Sequence, residues 1–301
     1  MLKNSAMGFI ALIALAIQGC GAAASEGDPG ESEAALGECG AFSQSFYSIS
    51  SPGDVLLKPS STHFCWLTKS SGNFDGGNGY TGLFVQTEGD GSWHLVSSGP
   101  GGSGEARCTP LSCFSGDGVN DVVWMSNGRA AIASSSRTGT CDHYSNDMWW
   151  GDAASVLTAH PGSGRTAGGG EYADVTLSSS AFSPSTVNAG DCVGDSKPII
   201  ANAVSLFVGT PSGGKVPHYT GTPFATWGTF TLNLGVYTDD AFCFFTHITG
   251  GFRGGGESVR LFTQYEASSG RYLWYAQTTQ GGAGNQVRGE GRCYYYHQWD
   301  L

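Results

Sequence analysis

The chain carries an internal duplication, and this feature constrains its fold more than any other. Residues 65–88 align without a gap against residues 243–266, and ten of these 24 positions are identical. Each copy opens on a cysteine, Cys65 or Cys243, and closes on another after a glycine-rich segment, Cys108 or Cys293. Self-similarity of this kind indicates a structural unit that the chain uses twice.

The apolar residues inside and outside the repeat follow the pattern of β-strands. They alternate or cluster in runs of four to six, as in residues 82–86 and 203–208, and Gly, Pro or Ser ends every run. Gly accounts for 48 of 301 residues, while aromatic residues make up 12%, which is enough for a core. We find no convincing amphipathic helix. The sequence predicts an all-β fold of sandwich or jelly-roll-like sheets, with an internally duplicated, disulfide-closed unit.

Composition divides the chain into five segments. The central segment is either a diverged third unit or an inserted β module, since its Gly168-Gly-Gly-Glu171 resembles Gly254-Gly-Gly-Glu257. Small and acidic residues dominate the second segment and predict a flexible tether. The predicted segments are a signal peptide at 1–19, the tether at 20–40, repeat unit A at 41–113, a middle β region at 114–225 and repeat unit B at 226–301.

The nine cysteines favour an exported protein. Eight lie beyond Cys20, and none forms a C-x-x-C pair, so zinc binding by thiolates is a poor interpretation. The repeat predicts two disulfides, and sequence order gives the simplest pairing for the other four cysteines. The predicted disulfides are Cys65–Cys108, Cys243–Cys293, Cys39–Cys113 and Cys141–Cys192.

The N-terminus has the organisation of an export signal. Lys3 precedes an apolar run at residues 7–17 that is too short for an ordinary membrane-spanning helix. The run ends Ile17-Gln18-Gly19-Cys20, which resembles the signal and lipobox of bacterial lipoproteins. That resemblance implies cleavage before Cys20, its acylation with fatty acids such as palmitate, and an outer-membrane location, because Gly21 rather than Asp follows. The alternative is a plain secretory signal cut near residues 22–24.

Charge excludes some classes of partner. One of the 14 basic residues, Lys3, lies in the signal, so the mature chain carries 25 acidic residues and a net charge of about −12. Nucleic acid and anionic membrane surfaces both require a basic patch. We therefore expect no nucleic-acid partner, and contact with the membrane only through the lipid.

Catalytic motifs are weak or absent. The chain contains no Gly-x-Ser-x-Gly, His-Glu-x-x-His or P-loop sequence. His160 and Ser196 lie in segments that resemble those of trypsin-type proteases, but Lys197-Pro198 replaces the Gly-Gly of the oxyanion loop. No catalytic residue is assigned. Carboxylates that could form a glycosidase pair are Asp147, Asp152, Glu171 and Asp174.

Metal binding has one weak candidate. The segment from Ser115 to Val123 resembles a degenerate calcium-binding loop of FG-GAP repeats. Asp117, Asn120 and Asp121 supply too few oxygens for calcium, which takes six to eight. We expect a plain β-turn there, no cofactor, and calcium only as the alternative.

Aromatic side chains are the remaining candidates for ligand contact. Trp149 and Trp150 lie in a polar stretch, where neighbours on a strand point to opposite faces and one ring can be exposed. Trp93 and Tyr272 occupy equivalent places in the two copies, and Trp274 follows. Sugar rings bind such faces beside polar groups. For Trp93 and Tyr272 we expect core packing, with ligand stacking as the alternative, because a position that is aromatic in both copies is more simply explained by the core.

Three functions fit these observations. We expect a surface-anchored lipoprotein that acts as a non-catalytic binding or adhesion module, with glycans as the candidate ligand. Two copies of one weak site would add avidity without new chemistry. The alternatives are an exported hydrolase of polysaccharide or peptidoglycan, and a structural surface or assembly protein.

Overall fold

The described part of the chain consists of nineteen β-strands and one short 3₁₀ helix in the computed structural model, with no α-helix. Every strand pair is antiparallel. The predicted all-β fold is confirmed. For strands β7–β13 the description covers the backbone and few side chains. The described residues are 39, 44–50, 52–74, 82–98, 101–114, 122–132, 142–148, 154–157, 159–160, 172–176, 185–191, 199–208, 222–281 and 287–296.

Unit A contains six strands and the 3₁₀ helix. In one sheet its strands lie in the order β1-β6-β3, and in another they lie in the order β4-β5-β2. Burial alternates along β5, so that one face of this strand packs on the core. The elements are β1 (Ser45–Ser50), β2 (Gly53–Pro59), β3 (His63–Asn73), β4 (Leu83–Thr87), β5 (Ser92–Ser97), β6 (Gly102–Pro110) and the helix (Leu111–Phe114).

Unit B repeats this connectivity strand for strand, in the orders β14-β19-β16 and β17-β18-β15. The register is shared as well, because Ser45 lies opposite Cys108 in unit A and Thr222 lies opposite Cys293 in unit B. Strand β14 crosses the predicted boundary between residues 225 and 226. The strands are β14 (Thr222–Trp227), β15 (Phe230–Tyr237), β16 (Ala241–Gly250), β17 (Arg253–Glu266), β18 (Arg271–Thr279) and β19 (Val287–Tyr295).

The middle region has the same connectivity again. Its strands lie in the orders β7-β13-β9 and β11-β12-β8, and one residue separates β9 from β10 in the chain. The region is therefore a third unit of the same topology, although its sequence hardly resembles the other two. Its strands are β7 (Val122–Ile132), β8 (Asp142–Met148), β9 (Ala154–Leu157), β10 (Ala159–His160), β11 (Tyr172–Thr176), β12 (Ser185–Asp191) and β13 (Ile199–Val208).

The units are joined by hydrogen-bonded strands in a cyclic order. Strand β3 of unit A pairs with β17 of unit B, β16 of unit B pairs with β11 of the middle unit, and β10 of the middle unit pairs with β4 of unit A. Three strands of one unit and three of the next thus form each six-stranded sheet with described pairing throughout. In both such sheets the third strand of one unit pairs with the fourth of its neighbour.

Disulfides close units A and B as the repeat predicted. Cys65–Cys108 and Cys243–Cys293 each join residues that lie directly opposite on neighbouring strands, with Cα atoms 4.1 and 4.0 Å apart. The loops span 43 and 50 residues. In the chain-entropy model each bond lowers the entropy of the unfolded chain enough to stabilise the fold by about 4 kcal/mol.

The core continues from unit A into unit B. The fully buried indole of Trp66 donates a hydrogen bond to the carbonyl oxygen of Cys243, at 2.9 Å. Its ring meets that of Phe242 edge-on, with centroids 5.4 Å apart, and Phe242 in turn stacks on Tyr296. Rings of this size contribute most of the buried apolar area in a core. Packing therefore couples the two units in addition to the strand pairing.

A buried carboxylate crosses the same junction. Glu105 on β6 accepts hydrogen bonds from Lys69 on β3, at 3.3 Å, and from Arg260 on β17, at 2.9 Å. Arg107, two residues along β6, is also buried and donates to Gln44. Burial lowers the pKa of Arg107 to about 10, and Glu105 opposes this shift. The guanidinium remains charged at neutral pH, so an acid must stay beside it.

Of the two other predicted disulfides, one is confirmed and one stays a prediction. Cys39 is bonded to Cys113. Cys141 and Cys192 lie outside the described residues, but Asp142 lies opposite Asp191 in the pairing of β8 with β12. The two cysteines adjoin this pair in sequence, in the same way that cysteines occupy opposite positions in units A and B.

We predict a Cys141–Cys192 disulfide in the protein purified without reductant. Proteolysis without reduction, followed by mass spectrometry, should give one peptide pair that contains both residues and that separates on reduction. The Cys65–Cys108 pair serves as the internal control in the same digest. A free thiol at either position, or a bond from either to another cysteine, would contradict the prediction.

Candidate ligand-binding surface

Two exposed aromatic side chains line a cleft at one edge of unit B. Trp227 exposes 63% of its surface and Phe230 exposes 52%, and Trp227 is the most exposed large apolar residue in the described part. The cleft has a volume of about 570 Å³. Concave apolar surface of this kind marks contact with a ligand or partner. It is lined by Ala225, Thr226, Trp227, Thr229, Phe230 and Arg288.

Strand geometry explains the exposure of Trp227. Phe224 and Thr226 point into the core, so their neighbours Ala225 and Trp227 point outward on β14. The chain then turns at Gly228, whose φ is +74°, a conformation that glycine adopts without steric cost. The backbone N–H of Gly228 donates to a carbonyl of β19. This turn brings Phe230 to the same cleft as Trp227.

Polar groups adjoin the aromatic pair. Arg288 on β19 lies opposite Trp227 in the strand register, and its guanidinium forms an ion pair with Glu290. Both charged side chains are partly exposed, at 45% and 34%. Thr229 is also exposed, and its hydroxyl accepts a hydrogen bond from the backbone N–H of Gln280. The cleft therefore combines flat apolar faces with donors and acceptors.

This arrangement offers contacts to a ligand. Among the described residues that line the cleft, Arg288 carries a charge. Hydrolysis of a glycosidic bond generally needs two carboxylates across the substrate, about 5 to 10 Å apart.

Comparison of the chain with protein-family profiles, curated proteins and solved structures finds no match.

The aromatic pair is particular to unit B. The shared register places Ser50 of unit A at the position of Trp227, and the first residue of β2, Gly53, at that of Phe230. Neither of these two described positions in unit A carries an aromatic side chain. The predicted gain in avidity from two equivalent binding sites is therefore not supported at the position of Trp227.

Two of the candidate stacking residues, Trp93 and Trp274, belong to the core. Trp93 and Trp274 are fully buried, so neither presents a ring face to a ligand. The indole N–H of Trp93 donates to the carbonyl oxygen of His63 at 2.8 Å, and that of Trp274 donates to Ala241 at 2.9 Å. Both acceptors lie two residues before the first cysteine of their unit. These indoles thus hold equivalent strand starts, while the register of β4 with β5 and of β17 with β18 places Trp93 at the position of Tyr272, as the repeat predicted.

Tyr272 is half-buried and takes part in an exposed aromatic pair. Its ring lies edge-on to that of Tyr265 across β17 and β18, with centroids 5.3 Å apart, and Tyr265 exposes 53% of its surface. Nearby, Arg271 covers the ring of Tyr237 at 4.0 Å and forms an ion pair with Asp240. Tyr272 stays a candidate for ligand contact, at a second place on the surface.

Other predicted sites fall beyond what the structure describes. Asp147 and Asp174 lie in β8 and β11, where the backbone alone is described. Within the described residues, no three His, Cys, Asp or Glu side chains form a metal-binding group, and no helix is long and apolar enough to cross a membrane. Outside the described residues lie Cys20, Trp149, Trp150, Asp152, Glu171 and the calcium candidates Asp117, Asn120 and Asp121.

His94 forms a charged cluster on unit A. Its Nδ1 lies 2.7 Å from Oδ1 of Asp54, and its Nε2 lies 3.2 Å from Oδ2 of Asp90. Burial lowers the pKa of His94, but hydrogen bonds with the two carboxylates outweigh this effect, and the pKa is raised above 6.5. A protonated imidazole can donate to both carboxylates at once. The cluster ties the edge strand β2 to β5 and to the β4–β5 turn.

We predict that Asp54→Asn combined with Asp90→Asn lowers the pKa of His94 to below about 6.5, measured by NMR titration of its ring protons, because burial then acts without the two carboxylates. Because the folded pKa is raised, the stabilisation is fully present below about pH 6.5 and disappears as pH rises through the folded value. The wild type should therefore exceed the double variant in urea midpoint by more at about pH 5.5 than at about pH 9. An equal difference at both pH values would contradict the assignment.

Sequence reasoning missed Trp227 and Phe230, although a signal was present. The segment Thr222-Pro-Phe-Ala-Thr-Trp-Gly-Thr-Phe places a tryptophan on one side of a glycine turn and a phenylalanine on the other. Alternation predicts that Phe224 and Thr226 share a face and that Trp227 lies on the other face. The face that is buried could not be chosen without the partner strand β19.

Proposed function

We propose that this protein is an exported, lipid-anchored and non-catalytic binding protein that recognises carbohydrate at the Trp227 cleft. The observation that carries the proposal is the exposure of Trp227 and Phe230 around one cleft, beside Arg288 and Glu290. Sugar rings present C–H groups to an aromatic face and hydroxyl groups to polar neighbours. This cleft offers both kinds of surface.

Export and lipidation rest on separate support. Disulfides such as Cys65–Cys108 and Cys243–Cys293 persist in oxidising compartments outside the cytosol. The lipobox-like Ile17-Gln18-Gly19-Cys20 supplies the anchor, and the acidic segment after it supplies a spacer. A plain secreted form is the alternative.

A structural surface role is the main competing interpretation. An exposed Trp227 could also pack against a neighbouring protein in an assembly. The Arg288–Glu290 pair beside it favours a small polar ligand, since hydroxyl groups can bond to both a guanidinium and a carboxylate. The two roles differ in what the loss of Trp227 removes, which is glycan binding in one case and self-association in the other.

We predict that Trp227→Ala weakens glycan binding by about tenfold or more, because it removes the stacking face. Binding is measured on a glycan array and by calorimetry with the purified full-length protein. Leu56→Ala is the matched control, since it removes a large apolar side chain of unit A that is 58% exposed and lies outside the cleft, and this variant should bind normally. Equal binding by both variants, or no glycan bound by the wild type, would contradict the proposal.

We predict that Cys20 carries the lipid. Cells that express the protein with radioactive palmitate should label the wild type and not Cys20→Ser. Mass spectrometry of the mature protein should place its N-terminus at residue 20. An unlabelled protein with an N-terminus at residues 23–25 would instead support the plain secretory signal.

A further inference from the structure

The outward face of the sheet beside the Trp227 cleft continues as a row of polar residues. Arg288 on β19 lies opposite Trp227 on β14, and Thr249 on β16 lies opposite Arg288. The backbone of β11 pairs with Thr249 at Tyr172. Thr249 is half-buried, while its neighbours Ile248 and Gly250 are buried, so Thr249 lies on the outward side. The row crosses four adjacent strands.

A second row runs parallel to the first. Glu290 on β19 lies opposite Ala225, and His247 on β16 lies opposite Glu290. Asp174 of β11 comes next by register. Neighbouring strands are about 4.8 Å apart, so four strands extend the surface over about 14 Å from Trp227. This length exceeds a single sugar ring and suits several linked rings.

The same repeat positions have a different role in unit A. Glu105 is the equivalent of Glu290, since each lies three residues before the closing cysteine of its unit. Glu105 is 7% exposed and is held by Lys69 and Arg260. In unit B, His247 stands at the position of Lys69, and the side chain of Glu290 is 34% exposed. The carboxylate at this repeat position joins units A and B when it is Glu105. In unit B the equivalent Glu290 is partly exposed to solvent.

Charge selects the class of sugar. Arg288 is already paired with Glu290, so the cleft carries no net charge from this pair. The whole chain has a net charge of −11, which repels acidic polymers at long range. A uronic acid would have to displace Glu290 from Arg288, whereas neutral hydroxyl groups can hydrogen-bond to both partners without separating them.

We propose that the surface binds an internal stretch of a neutral polysaccharide, stacked on Trp227 and laid across β14, β19 and β16 toward β11. This inference rests on the proposed function and narrows its ligand. The aromatic cleft holds one ring, and Arg288, Glu290, His247 and Thr249 contact the rings that follow. Affinity should therefore grow with the length of the glycan.

The test is calorimetry of the full-length protein with neutral oligosaccharides of one to six units. The probes are gluco-, manno-, galacto-, xylo- and chito-oligosaccharides, with galacturonan oligomers as the acidic comparison. We expect one neutral series to gain about tenfold in affinity between the monosaccharide and the tetrasaccharide, with little change on adding salt.

A double variant tests whether the site extends beyond the aromatic cleft. His247→Ala combined with Thr249→Ala should weaken tetrasaccharide binding about five- to tenfold and leave monosaccharide binding unchanged. Ser71→Ala is the matched control, because Ser71 stands at the position of Thr249 in unit A. Circular dichroism and the urea midpoint show whether the variants remain folded. If they do not, His247→Gln and Thr249→Val replace them.

The outcomes separate the inference from the proposed function. Neutral binding that grows with length and depends on His247 and Thr249 supports the inference. Affinity that is independent of length, or that is insensitive to both substitutions, overturns it and points to a terminal sugar. Stronger, salt-sensitive binding of galacturonan also overturns it while the carbohydrate function stands. Absence of binding to every glycan overturns both.

Discussion

Hydrogen bonding between strands of different units is the constraint on which this structure depends. Strand β3 pairs with β17, β16 pairs with β11, and β10 pairs with β4. A unit removed from the chain would leave the third strand of one neighbour and the fourth strand of the other without partners. Exposed strand edges of that kind are prone to aggregation. The three repeats therefore fold as one body, in contrast to a series of independent domains.

Side chains at the A–B junction meet this constraint in two ways. Trp66 donates across it to the backbone at Cys243, and Glu105 is held between Lys69 and Arg260. The indole bond satisfies a buried polar group, and the two partly exposed cations balance a carboxylate that would otherwise be costly to bury. The disulfides act differently, because they close each unit internally and limit the entropy of the unfolded chain.

Equivalent positions serve as scaffold in unit A and contribute to the proposed binding surface in unit B. Positions that hold the junction in unit A, such as Lys69 and Glu105, correspond to His247 and Glu290 in unit B, where the carboxylate is more open. Ser50 in unit A and Trp227 in unit B occupy the same position, at the end of the first strand of their unit. One copy can keep the sheet intact while another diverges, so new contacts arise without loss of the fold.

The sequence by itself determined the strand pattern, the repeat and the pairs Cys65–Cys108 and Cys243–Cys293. These follow from local periodicity and from comparison of one copy with the other, which require no knowledge of distant contacts. Only the tertiary structure decided that the middle region is a third unit, because its strand pairing is shared although its residues are not. Tertiary packing likewise buried Trp93 and exposed Trp227. Alternation assigns residues to two faces, but the partner sheet decides which face becomes the core.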